Sequence, residues 1–174
     1  DSRLSAIPEW ANENAEIQQL AATIFKDAKS TSQKIDAVKS YFRDNYHYSL
    51  KVTIPSNYKD DPLKWFLLTK SDAYCEYFAS GTALLLRMAG VRCRYVTGYV
   101  VEELNAFSGD WVARNKDAHA WVEAFDEDRG WITVESTPID GIPHGSQIEQ
   151  SDQFSEYLKD RLQRLRAAWQ QHGV

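Results

Sequence analysis

The sequence lacks the features that define membrane-spanning, nucleic-acid-binding and disulfide-rich chains. None of its apolar runs approaches the roughly 20 residues that a membrane span needs. There is no basic block or arginine stripe, and the net charge is −5, so we expect no nucleic acid among the partners. The 174 residues are 43% hydrophobic and 26% charged, which argues against disorder and predicts a globular domain with a sizeable core.

Cysteine and methionine are also scarce. Cys75 and Cys93 are the only two cysteines, too few for a disulfide scaffold, although one bridge between them stays open on number alone. Together with four scattered histidines they form no metal-ligand spacing, so we expect neither a metal nor a cofactor. Met88 is the only methionine, and no signal peptide or initiator methionine is present. We therefore expect a mature product or a domain excised from a longer chain.

Hydrophobic periodicity places helices at both ends of the chain and strands in its later half. The predicted helices span residues 9–29, 31–42 behind a Ser30–Gln33 capping box, 62–68, 75–89 and 153–170. The predicted strands span residues 46–54, 91–101, 118–125 and 131–135. Helices followed by an antiparallel meander indicate an α+β fold. We predict a single domain over 1–174, with a core at 31–140 flanked by helices 9–29 and 153–170.

Cys75 falls at the first turn of the predicted helix 75–89. Unpaired backbone N–H groups and the positive end of the helix dipole favour a thiolate there. The same N–H groups can donate to an oxyanion. The alternative is that Cys75 is only a small buried apolar residue.

His119 and Glu135 lie on two consecutive predicted strands. If Asp126 to Asp128 form the loop between them, His119 lies directly opposite Glu135, and opposed residues share a face. A five-residue loop also leaves them on one face, whereas an even-length loop or a single bulge moves one of them to the other face. The alternatives are a satisfied core histidine and a solvated strand-end carboxylate. With Cys75, the pair would form the nucleophile, base and orienter that acyl transfer requires.

Three parts of the sequence resemble the motifs of the transglutaminase-like superfamily. Residues 74–79 (YCEYFA), 86–91 (LRMAGV) and 95–99 (YVTGY) resemble its cysteine motif, 119–123 (HAWVE) its histidine motif and 130–138 (GWITVESTP) its acidic motif. The resemblance implies a papain-like fold, with a central helix that starts at the nucleophile and packs on an antiparallel sheet. It carries the nucleophile to Cys75, the base to His119 and the acid to Glu135.

The sequence departs from the family pattern at two positions. The acid is usually aspartate and is Glu135 here, and the residue two before the cysteine is often glycine and is Ala73 here. A catalytic Cys75 excludes a bridge to Cys93, which we interpret as core packing. A second oxyanion donor is not identifiable from the sequence, although Tyr48 is one candidate.

The resemblance implies a thiol enzyme that acts on protein or peptide amides through a thioester. An amine would resolve that thioester in a transglutaminase, and water would resolve it in a peptidase or amidase; both remain open. The alternative is a catalytically idle domain that serves as a binding or scaffold module of a larger membrane protein. By similarity to bacterial relatives, we expect a soluble periplasmic or extracytoplasmic domain, tethered to membrane segments outside this sequence.

Overall fold

The computed structural model describes residues 1–143, 154–155 and 157–163. Its helices are α1 (Glu9–Asn12), α2 (Ala15–Phe25), α3 (Thr31–Asn45), α4 (Pro62–Thr69) and α5 (Cys75–Met88). Its strands are β1 (Cys93–Tyr99), β2 (Glu103–Leu104), β3 (Trp111–Val112), β4 (Ala118–Asp126) and β5 (Gly130–Val134). Of the predicted helix 153–170, residues 154–155 and 157–163 are helical, and the rest of that prediction lies outside the described residues.

The chain divides into two compact units. The first comprises residues 1–98 and 119–142 and contains helices α1 to α5 and most of the sheet β1-β4-β5. The second comprises residues 99–118 and 143–174. In it β2 and β3 form an antiparallel pair, and the Arg114 guanidinium binds the Glu103 carboxylate through two hydrogen bonds of 2.9 Å. The single domain over 1–174 stays a prediction.

Helices α3, α4 and α5 lie close to the positions that the sequence predicts. The Ser30 hydroxyl accepts from the Gln33 amide, and the Gln33 side chain accepts from the Ser30 amide, which completes the predicted capping box of α3. Pro62 is the first residue of α4, where its missing N–H costs nothing. After α5, Gly90 has a φ of 77°, a left-handed conformation that glycine adopts without strain.

Two predicted elements are wrong. The helix expected over 9–29 breaks after Asn12, because the Asn14 side chain accepts a 3.0 Å hydrogen bond from the Ile17 amide and caps a new helix, α2. The strand expected over 46–54 is reduced to one parallel bridge, Tyr48 to Ala73. The residues alternate in polarity as a strand would, but of this segment only the backbone around Tyr48 pairs with another segment of the chain, at Ala73.

The core of the first unit is built around α5. Eight residues of this helix are buried, and aromatic rings from α3 and α4 pack against it. The Phe42 ring lies 5.8 Å from that of Phe66 and 5.6 Å from that of Phe78. A Cβ on Gly81 would lie 2.9 Å from the Phe42 ring, so this glycine permits the close approach of α3. Each fully buried phenylalanine stabilises the fold by roughly 1.5–3 kcal/mol, and this cluster fixes α5 and the residue at its start.

The three-stranded sheet alternates in burial along β4. Ala120, Val122 and Ala124 are buried in the core, and the intervening side chains lie on the other face. The Phe125 amide donates to the Arg92 carbonyl beside the start of β1 at 2.8 Å. Helices and an antiparallel β4–β5 pair confirm the predicted α+β class.

Candidate active site

Cys75 begins α5, as the sequence predicts. It is a free, half-buried thiol. The residue before it, Tyr74, has extended backbone angles and provides no side-chain cap. The amide of Tyr77 donates to the Tyr74 carbonyl at 2.9 Å, whereas the first amides of a helix have no acceptor within the helix. The N–H groups of Cys75 and Glu76 are thus placed to meet negative charge.

The backbone leading into α5 is held in place by the segment before α4. The Ser49 amide donates to the Ala73 carbonyl at 2.9 Å, and the Ala73 amide donates to the His47 carbonyl at 3.3 Å. Ala73, which departs from the glycine often found at this family position, is fully buried. This bridge places Tyr48 in register with Ala73, two residues before Cys75.

The β4–β5 hairpin differs in register from the one expected. Asp126 pairs with Gly130 and Phe125 with Trp131, so the loop consists of residues 127–129 instead of 126–128. The pairing is displaced by two residues, and the direct opposition of His119 and Glu135 is therefore wrong. A displacement of two preserves the face, because side chains alternate with a period of two. His119 and Glu135 remain on one face, as diagonal neighbours.

The structure brings His119 and Glu135 into direct contact. The His119 Nε2 atom and the Glu135 Oε2 atom lie 2.6 Å apart. The His119 side chain is only 3% exposed and that of Glu135 is 28% exposed. The other carboxylate oxygen, Oε1, accepts a 2.8 Å hydrogen bond from the Thr137 amide. Both carboxylate oxygens of Glu135 are thus hydrogen-bonded. A carboxylate fixed in this way holds the imidazole in one orientation.

The environment favours charge on both groups. Burial by itself lowers the pKa of His119, but hydrogen bonding to Cys75 and Glu135 and their negative charge raise that pKa to about 9. Burial raises the pKa of Glu135, but its hydrogen bonds with His119 and Thr137 more than offset this and lower it. At neutral pH the pair is therefore an imidazolium beside a carboxylate, joined by a charge-assisted hydrogen bond.

The second ring nitrogen of His119, Nδ1, is not bound to Glu135. Nδ1 is buried, and none of the described residues supplies it with a hydrogen bond of full geometry. Because the Cys75 thiol raises the pKa of His119, the sulfur lies near this ring. The ring thus has Glu135 at Nε2 and leaves Nδ1 for a proton exchange with sulfur or substrate, which is the division of labour that an acyl-transfer triad needs. The catalytic roles of the three residues stay a prediction.

Trp121 supports the histidine from the same face of β4. Its ring lies 6.3 Å from the His119 ring at an interplanar angle of 20°. A Cβ on Gly98 of β1 would lie 2.8 Å from the Trp121 ring, so the absence of a side chain at Gly98 makes room for it. The motif residues Gly98, His119 and Trp121 thus form one packed unit.

Two tyrosines lie within electrostatic reach of Cys75. Burial, followed by the charges of Cys75 and Asp140, raises the pKa of Tyr48. Burial, followed by the charges of Glu76, Cys75 and Tyr74, raises the pKa of Tyr95. The Tyr48 ring packs on Gly141, where a Cβ would lie 2.0 Å from ring carbon Cδ2. Tyr48 was a candidate from the sequence, whereas Tyr95 and Thr137 were not.

Cys93 is buried in the core, as expected, and both cysteines are free. Its thiol donates to the Ala83 carbonyl at 3.4 Å, and burial raises its pKa. Across the described residues, no three His, Cys, Asp or Glu side chains are grouped to hold a metal ion.

Comparison with known families agrees with this geometry. The family model described as the transglutaminase-like superfamily matches residues 18–136, more than half of the chain. The chain belongs to the transglutaminase-like superfamily. The match includes Cys75, His119 and Glu135.

Two curated relatives of this transglutaminase-like chain are bacterial. It is 33% identical over 142 residues to the uncharacterized protein YebA of Bacillus subtilis, a match that covers 78% of this chain and 19% of that protein. It is 32% identical over 100 residues to a protein-glutamine gamma-glutamyltransferase of Pseudomonas aeruginosa, covering 58% of this chain and 14% of the relative. The chain thus spans less than a fifth of the length of either relative.

Solved structures show the same fold. The periplasmic domain of TgpA from Pseudomonas aeruginosa matches with a TM-score of 0.65 and 29% identity, over 77% of this chain and 45% of that one. A candidate cysteine protease from Cytophaga hutchinsonii matches with a TM-score of 0.56 and 19% identity, over 80% of this chain and 43% of that one. These matches confirm the papain-like, transglutaminase-like fold that the motifs imply. Among the described residues, no helix is both long and apolar enough to cross a membrane.

Proposed function

We propose that this transglutaminase-like domain is a thiol acyl-transfer enzyme that acts on carboxamides of proteins or peptides. The observation that carries the proposal is the buried His119–Glu135 pair at 2.6 Å, with the ring's second nitrogen unengaged among the described residues and the Cys75 thiol nearby. A relative is named a protein-glutamine gamma-glutamyltransferase, which supports the same chemistry.

In the first half-reaction the Cys75 thiolate attacks the carboxamide carbon. The C=O electron pair moves to oxygen, and the resulting oxyanion accepts hydrogen bonds from the N–H groups at the start of α5. The C–N bond then breaks as the His119 imidazolium gives its proton to the leaving nitrogen, which departs as ammonia or an amine. A thioester on Cys75 and a neutral His119 remain.

In the second half-reaction a neutral amine or a water molecule attacks the thioester carbon. His119 takes the proton of the attacking nitrogen or oxygen, the C–S bond breaks, and Cys75 leaves as the thiolate. An amine yields a new amide and water yields an acid. Exclusion of water from the acyl-enzyme decides between them.

Tyr48 is our candidate for the second oxyanion donor. Its backbone is bridged to Ala73, two residues before Cys75, and the thiol is among the causes of its raised pKa, which supports a place for the phenol near the nucleophile. A phenol O–H aimed at the oxyanion would add to the helix-start N–H groups, and loss of one such donor costs about 10²–10³ in kcat in serine proteases.

A labelled primary amine, supplied with a glutamine-containing peptide, tests the function and its two branches. Incorporation of the amine that Cys75→Ala abolishes supports transamidation, and release of free acid that Cys75→Ala abolishes supports hydrolysis. Cys93→Ala is the matched control, because it removes the other cysteine, which is buried in the core and hydrogen-bonded to Ala83. This variant should retain turnover if the protein is folded. If the folded wild-type chain releases neither product, the enzyme proposal is wrong and the alternative of an idle binding module is favoured.

We also propose that the domain works on the outer side of the cytoplasmic membrane of a bacterium, within a larger protein that has membrane segments. The likeness to the periplasmic domain of TgpA supports this location. Alkaline phosphatase, a reporter that is active outside the cytoplasm, should be active when fused to the full-length protein at a position next to this domain. If only a reporter that works in the cytoplasm is active at that position, the proposed location is wrong.

A further inference from the structure

A cavity of about 250 Å³ lies beside the start of α5. It lies between the first turn of α4 and the first two turns of α5, and its lining residues are Pro62, Leu63, Tyr74, Glu76, Tyr77 and Ser80. Tyr74 and Glu76 are the chain neighbours of Cys75, and their Cα atoms lie about 3.8 Å from its own. The cavity is therefore next to the helix start that carries the proposed nucleophile, but the Cys75 side chain is not part of its lining.

Glu76 gives this cavity a negative charge. Within the described residues, no lysine, arginine or histidine forms an ion pair with its carboxylate. The charge of Glu76 nevertheless contributes to the pKa values of two tyrosines. Burial, then Tyr74 and Glu76, raise the pKa of Tyr77, and Glu76 also contributes to the raised pKa of Tyr95. A cation in the cavity would supply the partner that Glu76 lacks among these residues.

The remaining walls suit a long cationic side chain. The Tyr74 and Tyr77 rings meet edge to face at 5.1 Å and 85°, and the Tyr77 ring also packs edge-on against buried Trp65 at 6.1 Å. Electron-rich ring faces attract lysine and arginine head groups. Pro62 and Leu63 offer apolar surface for the methylene groups of such a side chain.

We propose that this cavity is a specificity subsite for a lysine or arginine side chain of the peptide substrate, located close in sequence to the reacting carboxamide. The inference rests on the proposed function and adds the substrate class: peptides with a basic residue beside the reacting glutamine. An extended peptide spans about 3.3–3.6 Å per residue, so three residues on either side of the glutamine cover roughly 10 Å around the reacting carboxamide, and this is the range that the peptides below examine.

The bound cation is not the amine that attacks the thioester. A carboxylate that pairs with an ammonium group stabilises its protonated form. An ammonium nitrogen has no lone pair for attack, so a pair with Glu76 would hold a reacting amine in its inactive form. A basic side chain that only anchors the substrate has no such conflict.

Peptides that differ at one residue test the subsite. The donor peptides carry lysine, norleucine or glutamate at each of the three positions on either side of the glutamine, and kcat/KM is measured for each. We expect the best lysine peptide to exceed its norleucine match by about three- to tenfold at low salt, as an exposed ion pair with cation–π contacts provides. The preference should diminish as salt screens the charges.

Glu76→Gln tests the residue that carries the preference. This variant keeps the size of the side chain and removes its charge, and the lysine-to-norleucine ratio should fall to about one. Glu16→Gln is the matched control, because Glu16 is also an exposed glutamate in the first turn of a helix and lies away from the cavity lining. Its ratio should equal that of the unmodified chain.

Binding separates failure of the subsite from failure of the proposed function. Calorimetry with the same peptides and the Cys75→Ala chain needs no turnover. Tighter binding of the lysine peptide that Cys75→Ala/Glu76→Gln loses supports the subsite even if the unmodified chain turns over no peptide. Equal binding of the lysine and norleucine peptides, or a preference that survives Glu76→Gln, overturns it.

Discussion

Glu135 reaches His119 because its side chain is long. The hairpin register makes the two residues diagonal neighbours instead of directly opposed ones. Diagonal Cα atoms on one face of an antiparallel pair lie about 7–8 Å apart, compared with about 4.5–5.5 Å for opposed residues. The extra methylene of glutamate over aspartate spans part of that distance and brings Oε2 to 2.6 Å from Nε2. In this chain the length of the glutamate therefore fits the diagonal register.

Shortening this carboxylate should reduce activity even though aspartate is the usual family residue. We expect Glu135→Asp to lower kcat/KM by about tenfold to a hundredfold, since misplacement of a catalytic group by about 1 Å costs that much. Glu135→Gln retains the length and loses the charge that stabilises the imidazolium, and should lower kcat/KM as well. The measurement is amine incorporation or acid release with a glutamine peptide.

Glu127→Asp provides the control for shortening a glutamate in the same hairpin. Glu127 lies in the loop and pairs with Arg92 at the surface, so its shortening should leave kcat/KM unchanged. Full activity of Glu135→Asp would contradict the argument from the diagonal register.

At the scale of elements, a single bridged segment beside Cys75 takes the place of the strand that the sequence predicts. Residues 47 and 49 both bond to the backbone of Ala73, and Tyr48 between them turns its ring onto Gly141. Gly141 closes the short 3₁₀ turn Ile139–Gly141, where any side chain would displace the ring. The position of the Tyr48 phenol is thus set jointly by the segments that contain Ala73 and Gly141.

Displacement of this ring should affect catalysis if Tyr48 is the second oxyanion donor. We expect Tyr48→Phe to lower kcat by about 10²-fold with little change in KM, because the lost hydrogen bond forms only in the transition state. Gly141→Ala should lower kcat in the same way, by moving the ring. A Tyr48→Phe chain with unchanged kcat and a lower melting temperature would assign the phenol to packing instead.

At the scale of the whole molecule, the buried histidine links stability to pH. The folded chain raises the pKa of His119 from 6.5 to about 9 and therefore binds its proton more tightly than the unfolded chain does. The stabilisation from this group is complete below about pH 6.5 and is lost as the pH rises through about 9. Glu135 has the opposite dependence: its lowered pKa stabilises the fold above about pH 4.5, and this is lost in more acidic solution.

Melting temperatures measured from pH 6 to pH 10 should show this linkage. We expect the unmodified chain to lose on the order of 3 kcal/mol of unfolding free energy over this range from His119. His119→Gln should remove this part of the loss, and Cys75→Ala, which removes one of the two negative partners, should move it to lower pH. His47→Gln, at an exposed histidine, is the control and should retain the full dependence. Parallel pH profiles for His119→Gln and the unmodified chain would contradict the linkage.

Local sequence signals predicted a large part of the fold and less of the site's geometry. The capping box at Ser30, the proline at the start of α4 and the apolar stripe of α5 all act within one or two turns of helix, and each appears where expected. The break at Asn14 was missed because the apolar residues behind that prediction, from Ile17 to Phe25, all follow it, and the cap depends on a single side-chain hydrogen bond. The strand at 46–54 failed because strand formation needs a partner that periodicity does not reveal.

The sequence by itself determined which residues are the candidates for the chemistry and predicted that His119 and Glu135 share a face. Helix-start physics placed Cys75, the motifs identified all three candidates, and the two-residue period of β-strands kept His119 and Glu135 on one face under either odd-length loop. Tertiary structure alone decided the register of the hairpin, the 2.6 Å contact, the bridge that holds Tyr48 and the cavity beside Glu76. The reason is physical: side-chain direction follows from local backbone geometry, whereas distances between segments far apart in the chain depend on how the whole core packs.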